Sequence, residues 1–343
     1  MAGERSCTMI NCKNIFGSGI LMEEQDLIGK LYVTCTACMS IYSEFLSWAN
    51  CNTDRLTRSP DKADSIVVLS CQVTDLAILN DIQHIERLMH NYPGKNYYVG
   101  GCLARRFDID IPAQRLSNIK SDYHLIKDKT LVNYEAPFWI KDFSEGKGDG
   151  NLFRDMYPLR IGAGCKGKCK YCTIRVTRGD PYELPAHRLR DEFLQNHDVV
   201  LISDNPSQDQ IEQWCAMAMA HKKPISIRNL EPTNAINSFW HLLRLARNGL
   251  LKILHVPIQS PNKDVLMSMG RDVQATISYL DASILLRSHG VCLATNIIVS
   301  YKDHPDTDIA ELEKIFDHVD WNPYWDGLWD RGVAEDKFKH YFA

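Results

Sequence analysis

Three cysteines crowd into "GCKGKCKYC", residues 164–172: Cys165, Cys169 and Cys172. Thiolates in this number ligate zinc or an iron–sulfur cluster. A structural zinc site closes its tetrahedron with a fourth Cys or His, and no fourth cysteine stands nearby. Three thiolates on one short loop hold three corners of a cubic cluster and leave one iron open. An open iron suits a reaction, because a small molecule chelates it through an amine and a carboxylate. A zinc loop, or three unrelated thiols, is the competing reading.

The elements around the triplet fit the open-iron reading. Strand "PLRIGAG" (158–164) runs directly into it, which sets the thiols beyond the strand's C-terminal end, where parallel α/β folds bind ligands. Further apolar strands are expected at "DVVLISD" (198–204), "PISIRNLE" (224–231), "ILHVPIQ" (253–259), "CLATNIIVS" (292–300) and "HVDW" (318–321). Helices such as "SFWHLLRLARNG" and "TISYLDASILLRSHG" fall between them, the second closed by Gly290 as a C-cap. Five or six such units predict a partial parallel (β/α)6 barrel over 155–343.

Upstream, "LYVTC" (31–35), "SIVVLSC" (65–71) and "NYYVGGC" (96–102) read as strands of a smaller parallel α/β domain over 31–125, with "DIQHIERLMHNY" as a helix between them. Each strand ends in a cysteine: Cys35, Cys71 and Cys102. Parallel neighbours deliver their C-terminal ends to one edge, so these three are candidates for a second metal site. Chance placement competes, since cysteine is a common core residue. Residues 126–154, with the Gly- and Ser-containing "SEGKGDGN", read as a linker, and 1–30 as an extension carrying Cys7 and Cys12.

The C-x3-C-x2-C spacing, with aromatic Tyr171 before its last cysteine, resembles the radical S-adenosylmethionine (SAM) superfamily. The order "VTCTAC", "RSPDKADSIVVLSCQVTDLA", "NYYVGGCLARR", "RIGAGCKGKCKYCTIRVTRG", "IRNLEP", "LHVPIQS" and "VLMSMGRD" resembles the methylthiotransferases within that superfamily, over roughly residues 31–320. The resemblance implies an enzyme with two [4Fe–4S] clusters. One, on Cys165, Cys169 and Cys172, binds SAM and cleaves it to a 5′-deoxyadenosyl radical. The other, on three N-terminal cysteines, supplies or carries sulfur. Carried over, those ligands are Cys35, Cys71 and Cys102, with Cys38 and Cys12 as rivals for the first place; Cys35 is preferred because it ends its strand as the others do. The implied outcome is a methylthio group set on an unactivated C–H bond of a protein, a peptide or a tRNA, with electrons from a donor such as flavodoxin or ferredoxin. Sulfur insertion or another peptide modification without methylation, and a non-catalytic iron–sulfur or zinc protein, are the alternatives.

Some positions depart from the family. The chain ends at "EDKFKHYFA" without the RNA-binding TRAM barrel usual there; Arg175 stands where the family tends to Pro, and "SYKDHP" where it tends to a Gly-Phe-Pro loop. These touch the substrate side more than the chemistry. Strand-end polar residues Ser203, Asp204, Glu231, Gln259 and Asn296, with Tyr171, are candidates for holding SAM, each with a loop or helix cap as the plainer reading. Arg105 and Arg106 of "LARR", Arg175, Arg178 and Arg271 are candidates for a phosphate or an acidic substrate, or ordinary solvated charge. Trp321, Trp325 and Trp329 fall at helix-face spacing and read as core or a domain contact. His255 reads as a satisfied core histidine, and Cys51, Cys215 and Cys292 as structural.

At 343 residues and 45% hydrophobic, the chain is long enough for two cored domains. Its formal net charge of −4 offers no global attraction to nucleic acid or anionic membrane, which tilts the expected substrate toward protein or peptide and away from tRNA. No apolar run approaches the roughly 20 residues of a membrane span, and the first residues lack a signal-peptide core. The expected address is cytoplasmic, with no membrane partner.

Overall fold

A computed structural model of the chain describes residues 22, 24–117, 133–134, 152–153, 155–178, 181–302, 304 and 309–342. The expected extension 1–30, with Cys7 and Cys12, and the expected linker 126–154 lie largely outside the described residues, as does part of "SYKDHP"; the side chain of Cys51 is also outside them.

The N-terminal sheet begins with β1 (Leu31–Cys35), β2 (Ser65–Ser70) and β3 (Asn96–Gly101), and gains two short strands that the sequence pattern does not announce, β4 (Gln114–Arg115) and β5 (Asn133–Tyr134). Their order is β4-β3-β2-β1-β5, all parallel. Every residue of central β2 is buried, the mark of a parallel strand covered on both faces. Helix α1 (Met39–Cys51) follows β1, and α2 (Asp75–Asn91) follows β2. Thr74 caps α2 by accepting from the Ala77 N–H at 3.1 Å, and the helix buries Leu76, Ile78, Leu79, Ile82 and Ile85.

Register decides where the cysteines arrive. Ser70 lies opposite Gly101, so Cys71 and Cys102 leave the sheet side by side. Cys35, however, lies opposite Leu69. It stands two positions short of the level of Cys71, about 6–7 Å lower along the strand. Cys38, after the chain has left β1, is at the start of α1 as its N-cap residue.

The second sheet has order β13-β12-β11-β10-β9-β6, all parallel: β6 (Tyr157–Arg160), β9 (Val199–Ile202), β10 (Ile225–Arg228), β11 (Leu251–His255), β12 (Cys292–Val299) and β13 (His318–Pro323). Six parallel strands in sequence order, with helices between them, form the partial (β/α)6 barrel. The expected strand "PLRIGAG" divides after Arg160: Gly162–Ala163 forms β7, antiparallel to β8 (Tyr182–Glu183). Helices following the strands open on side-chain caps. Ser207 accepts from Gln210 N–H at 3.2 Å, Asn262 from Asp264 N–H at 2.8 Å and Asp272 from Ala275 N–H at 2.9 Å. Gly290, at φ +80, ends the helix Val273–Ser288 in the left-handed conformation expected of a C-cap glycine.

The tryptophan stripe is corrected. Trp321 belongs to β13, and Trp325 and Trp329 lie in the loop beyond it. Pro323 and Gly327, the latter at φ +86, occupy that stretch, and neither favours a helix interior. The core reading holds: Trp329 packs against two hydrophobic clusters, one spanning both sheets and one at the first sheet. Beyond the loop, the helix Arg331–Phe342 returns to α2 through Arg331–Glu86 at 2.7 Å and Lys337–Asp75 at 2.8 Å. No helix among the described residues is long and apolar enough to cross a membrane.

Candidate metal and cofactor site

Cys165, Cys169 and Cys172 lie on the loop after β7, each half-buried and free. Burial pushes the Cys172 thiol up to about 12, and nearby Cys169 and Cys165 add to the rise, so the three lie within electrostatic reach. Gly167 stands between the first two. A Cβ there would meet Cys165 Sγ at 3.1 Å and Cys169 Sγ at 4.0 Å, so the absence of a side chain preserves space between the thiols. Among the described residues no three His, Cys, Asp or Glu are grouped to ligate one ion. A four-iron cube holds its ligands farther apart than a single ion does, and three free thiols, two of them beside an unfilled glycine cradle, fit it.

Neighbouring elements fix this loop. Asn205, just past β9, donates to Cys165 Sγ at 3.6 Å. Arg271 donates to Cys169 Sγ at 3.9 Å, to the Tyr171 hydroxyl at 3.2 Å and to Pro257 O at 2.8 Å. Lys170 N–H bonds Met269 O at 2.9 Å. Arg271 therefore supports the thiols from within; it is not surface charge for a phosphate. Asn205 was missed by sequence reasoning, which stopped one residue earlier at Asp204.

The expected SAM contacts divide into groups. Tyr171 is packed beside Tyr301, ring centroids 6.5 Å apart, and burial raises its hydroxyl above the usual range. Glu231 caps the helix Pro232–Asn237 by accepting from Thr233 N–H at 2.8 Å, and its other oxygen lies 3.5 Å from Arg271. Asn296 is held by His255 Nε2, whose Nδ1 accepts from Asn229 N–H at 3.2 Å. His255 is thus the satisfied histidine expected of it. Gln259, at φ +70, ties its backbone to Asn296 and Ile298. Ser203 is buried beside Gly162.

Asp204 has a different occupation. It accepts from Gly164 N–H at 2.8 Å and from Arg178 at 3.0 Å. Burial alone would raise its pKa, but Arg178, the Gly164 amide and Arg160 outweigh burial and hold it below the usual range. Arg178 also pairs with Glu44 of α1 at 2.5 Å, and Glu44 meets Arg160 at 3.1 Å. This buried network joins α1 to β6 and to the loop after β9, so Arg178 is not a surface contact for substrate; among the candidate arginines, Arg175 is exposed and Arg106 is buried.

The N-terminal thiols come together at the same interface. Burial pushes Cys71 well above the usual range, and Cys38, Cys102 and Asp81 push it further. Burial likewise raises Cys102 to about 12, against the lowering effect of Arg178, with Cys38 adding to the rise. Cys38 is thus the neighbour that both share. Cys35 is fully buried, with its Sγ turned to Ala37 O at 3.9 Å. Burial dominates the rise of its thiol, and the charges adding to it are those of Cys38 and Asp81. Behind the set, Asp81 accepts from Thr36 Oγ1 at 2.5 Å and from Cys71 N–H at 2.6 Å, pinning the loops that carry Cys38 and Cys71. Gly101 must be glycine: at φ +79, a Cβ would meet Ser70 O at 2.5 Å.

Residues 159–315 match the Radical SAM superfamily. The chain carries a radical SAM domain, and that family implies SAM and one [4Fe–4S] cluster.

The chain is homologous to the methylthiotransferases. It is 22% identical over 300 residues to the tRNA-2-methylthio-N(6)-dimethylallyladenosine synthase of Sulfurovum sp., covering 77% of this chain and 67% of that one. It is 24% identical over 286 residues to the ribosomal protein uS12 methylthiotransferase RimO of Aquifex aeolicus, covering 78% and 64%. The chain thus spans about two thirds of these relatives' length. Among solved structures, the radical S-adenosylmethionine methyltransferase TsrM from Kitasatospora setae aligns at 7% identity with a TM-score of 0.47, over 79% of this chain and 68% of that one.

Proposed function

We propose that the protein is a radical SAM methylthiotransferase with a [4Fe–4S] cluster on Cys165, Cys169 and Cys172 and a second on Cys38, Cys71 and Cys102. The observation that supports this reading is that buried Asp204, held by Arg178, lies within electrostatic reach of Cys102 on one side and Cys172 on the other. Cys38 replaces Cys35 as first ligand because strand register keeps Cys35 below the level of its partners. When bound, the clusters would supply the electron for SAM cleavage and the sulfur for transfer.

The chain's own residues do the rest. Arg271 and Asn205 donate to the sulfurs of Cys169 and Cys165 and so hold the cysteine loop against its neighbours. The Arg160–Glu44–Arg178–Asp204 network keeps compensated charge at the domain interface with its side chains out of water. Glu231, beside Arg271, together with Gln259 and Asn296 would orient the cofactor. The acceptor is a protein or a tRNA, the two classes named for its relatives, with electrons from a donor such as flavodoxin or ferredoxin.

Anaerobic reconstitution tests the proposal. About eight irons per chain are expected, and SAM is consumed to both 5′-deoxyadenosine and S-adenosylhomocysteine, with a methylthio group in nuclease or protease digests of tRNA or ribosomal protein. Formation of 5′-deoxyadenosine without S-adenosylhomocysteine would overturn methylthio transfer.

A further inference from the structure

One buried side chain joins the two cysteine loops directly. Gln72 follows Cys71 and Thr173 follows Cys172. The Gln72 amide Nε2 donates to Thr173 Oγ1 at 2.8 Å, across 101 positions of chain, and Gln72 is only 3% exposed.

Its other end is held by a longer bond. Gln72 Oε1 accepts from Arg106 Nη1 at 3.4 Å. A guanidinium only donates, so Arg106 demands the amide oxygen and turns Nε2 toward Thr173. Arg106 is itself clamped: its Nε and Nη2 donate to the two carboxylate oxygens of Asp108 at 2.8 and 2.6 Å. Nη2 also donates to Gly327 O at 3.0 Å, and the guanidinium lies 5.3 Å from the Trp325 ring centroid. The loop bearing Trp325 and Gly327 is tied to the first domain by the C-terminal helix through Arg331 and Lys337. The chain from the Gly327 loop through Arg106 and Gln72 to Thr173 is therefore continuous, its two middle side chains are buried, and its last link has one amide to make it.

We propose that Gln72 is a positioning residue that fixes the separation and orientation of the two thiol sets relative to each other. This rests on the two-cluster reading above. Two centres that must act on one substrate atom need a fixed spacing, and a displacement of about 1 Å is enough to cost on the order of 100-fold in rate. A leucine has much the same shape and would pack in this place, but it cannot bond Arg106 or Thr173. A glutamate could restore both ends, since its carboxylate accepts from Arg106 and from the Thr173 hydroxyl.

The test uses the full chain, reconstituted anaerobically, as wild type, Gln72→Leu and Gln72→Glu. Each is assayed for iron, for 5′-deoxyadenosine from SAM with dithionite, and for the spin–spin interaction between the two reduced clusters by electron paramagnetic resonance. Dipolar coupling falls with the cube of separation, so it reports spacing without any acceptor substrate. Gln72→Leu is expected to keep its iron and to form 5′-deoxyadenosine within about threefold of wild type, while its interaction broadening changes; Gln72→Glu should restore the wild-type spectrum. Unaltered broadening in Gln72→Leu, or no restoration in Gln72→Glu, overturns the positioning role. A Gln72→Leu protein with about half the wild-type iron overturns it too, in favour of plain support for the second thiol set. A wild type holding about four irons instead sinks the two-cluster reading, and the inference falls with it.

Discussion

Cys165, Cys169 and Cys172 lie within eight residues of chain, whereas Cys38, Cys71 and Cys102 are 33 and 31 positions apart. The first set is a property of one loop. The proposed second set depends on three parallel strands ending at one edge with a particular register. The two sets differ in support as well: Arg271 and Asn205 donate to the sulfurs of the first, while Asp81 reaches the second through a backbone amide and Thr36. A local set tolerates error in the fold around it. A distributed set depends on every strand being in place.

Removing thiols gives the largest expected effect and tests the distinction most directly. Replacing Cys165, Cys169 and Cys172 together with Ala should abolish SAM cleavage and remove about half of the iron. In the other domain, Cys38→Ala should lose the second cluster and sulfur transfer but keep 5′-deoxyadenosine formation, whereas Cys35→Ala should keep both clusters. Iron and product measurements that reverse Cys38 and Cys35 would break the register argument.

Glu44→Gln comes next in size. It removes the carboxylate between Arg160 and Arg178, both almost fully buried. Breaking one partner of a buried ion pair costs about 3–5 kcal/mol, and Asp204 remains to offset part of it, so a loss of roughly 3 kcal/mol is expected in chemical denaturation. A change below about 0.5 kcal/mol, the range of ordinary surface substitutions, would mean that the network does not hold α1 against the second sheet.

The smallest effect lies away from both sets and serves as a contrast. Burial raises Glu192 from 4.5 to about 7, partly offset by the Tyr157 hydroxyl that donates to it at 2.5 Å. The folded state then binds a proton that the unfolded state has released, so stability falls as pH rises from about 4.5 to about 7 and levels off above that. Glu192→Gln should remove this slope, gaining about 2 kcal/mol relative to wild type between pH 5 and pH 8. Parallel stability curves for the two proteins would contradict the assigned shift, while iron content should be the same in both.

Much of the architecture was legible because hydrophobic period and caps are local. The strands "SIVVLS" and "NYYVGG", the six barrel strands and the Gly290 cap all fall close to where the pattern puts them. The tryptophan stripe shows the limit: helix-face spacing was real, but Pro323 and Gly327 favour a loop. The arginines show another. Arg178 and Arg271 look like surface charge in sequence because their partners Glu44, Asp204 and Glu231 lie far away along the chain.

By itself, the sequence determined the local chemistry: three thiols on one loop beyond a strand, with a spacing that no distant residue alters. Which N-terminal cysteines meet was left to tertiary structure. Cys35 and Cys38 are three positions apart and similar in sequence context, and the choice turns on strand register, which pairs Cys35 with Leu69 and sends Cys71 and Cys102 past it. Register is set by packing between strands that are remote in sequence, so the case for Cys38 as the proposed first ligand, the Gln72 bridge and the buried charge network arise only when those strands lie side by side.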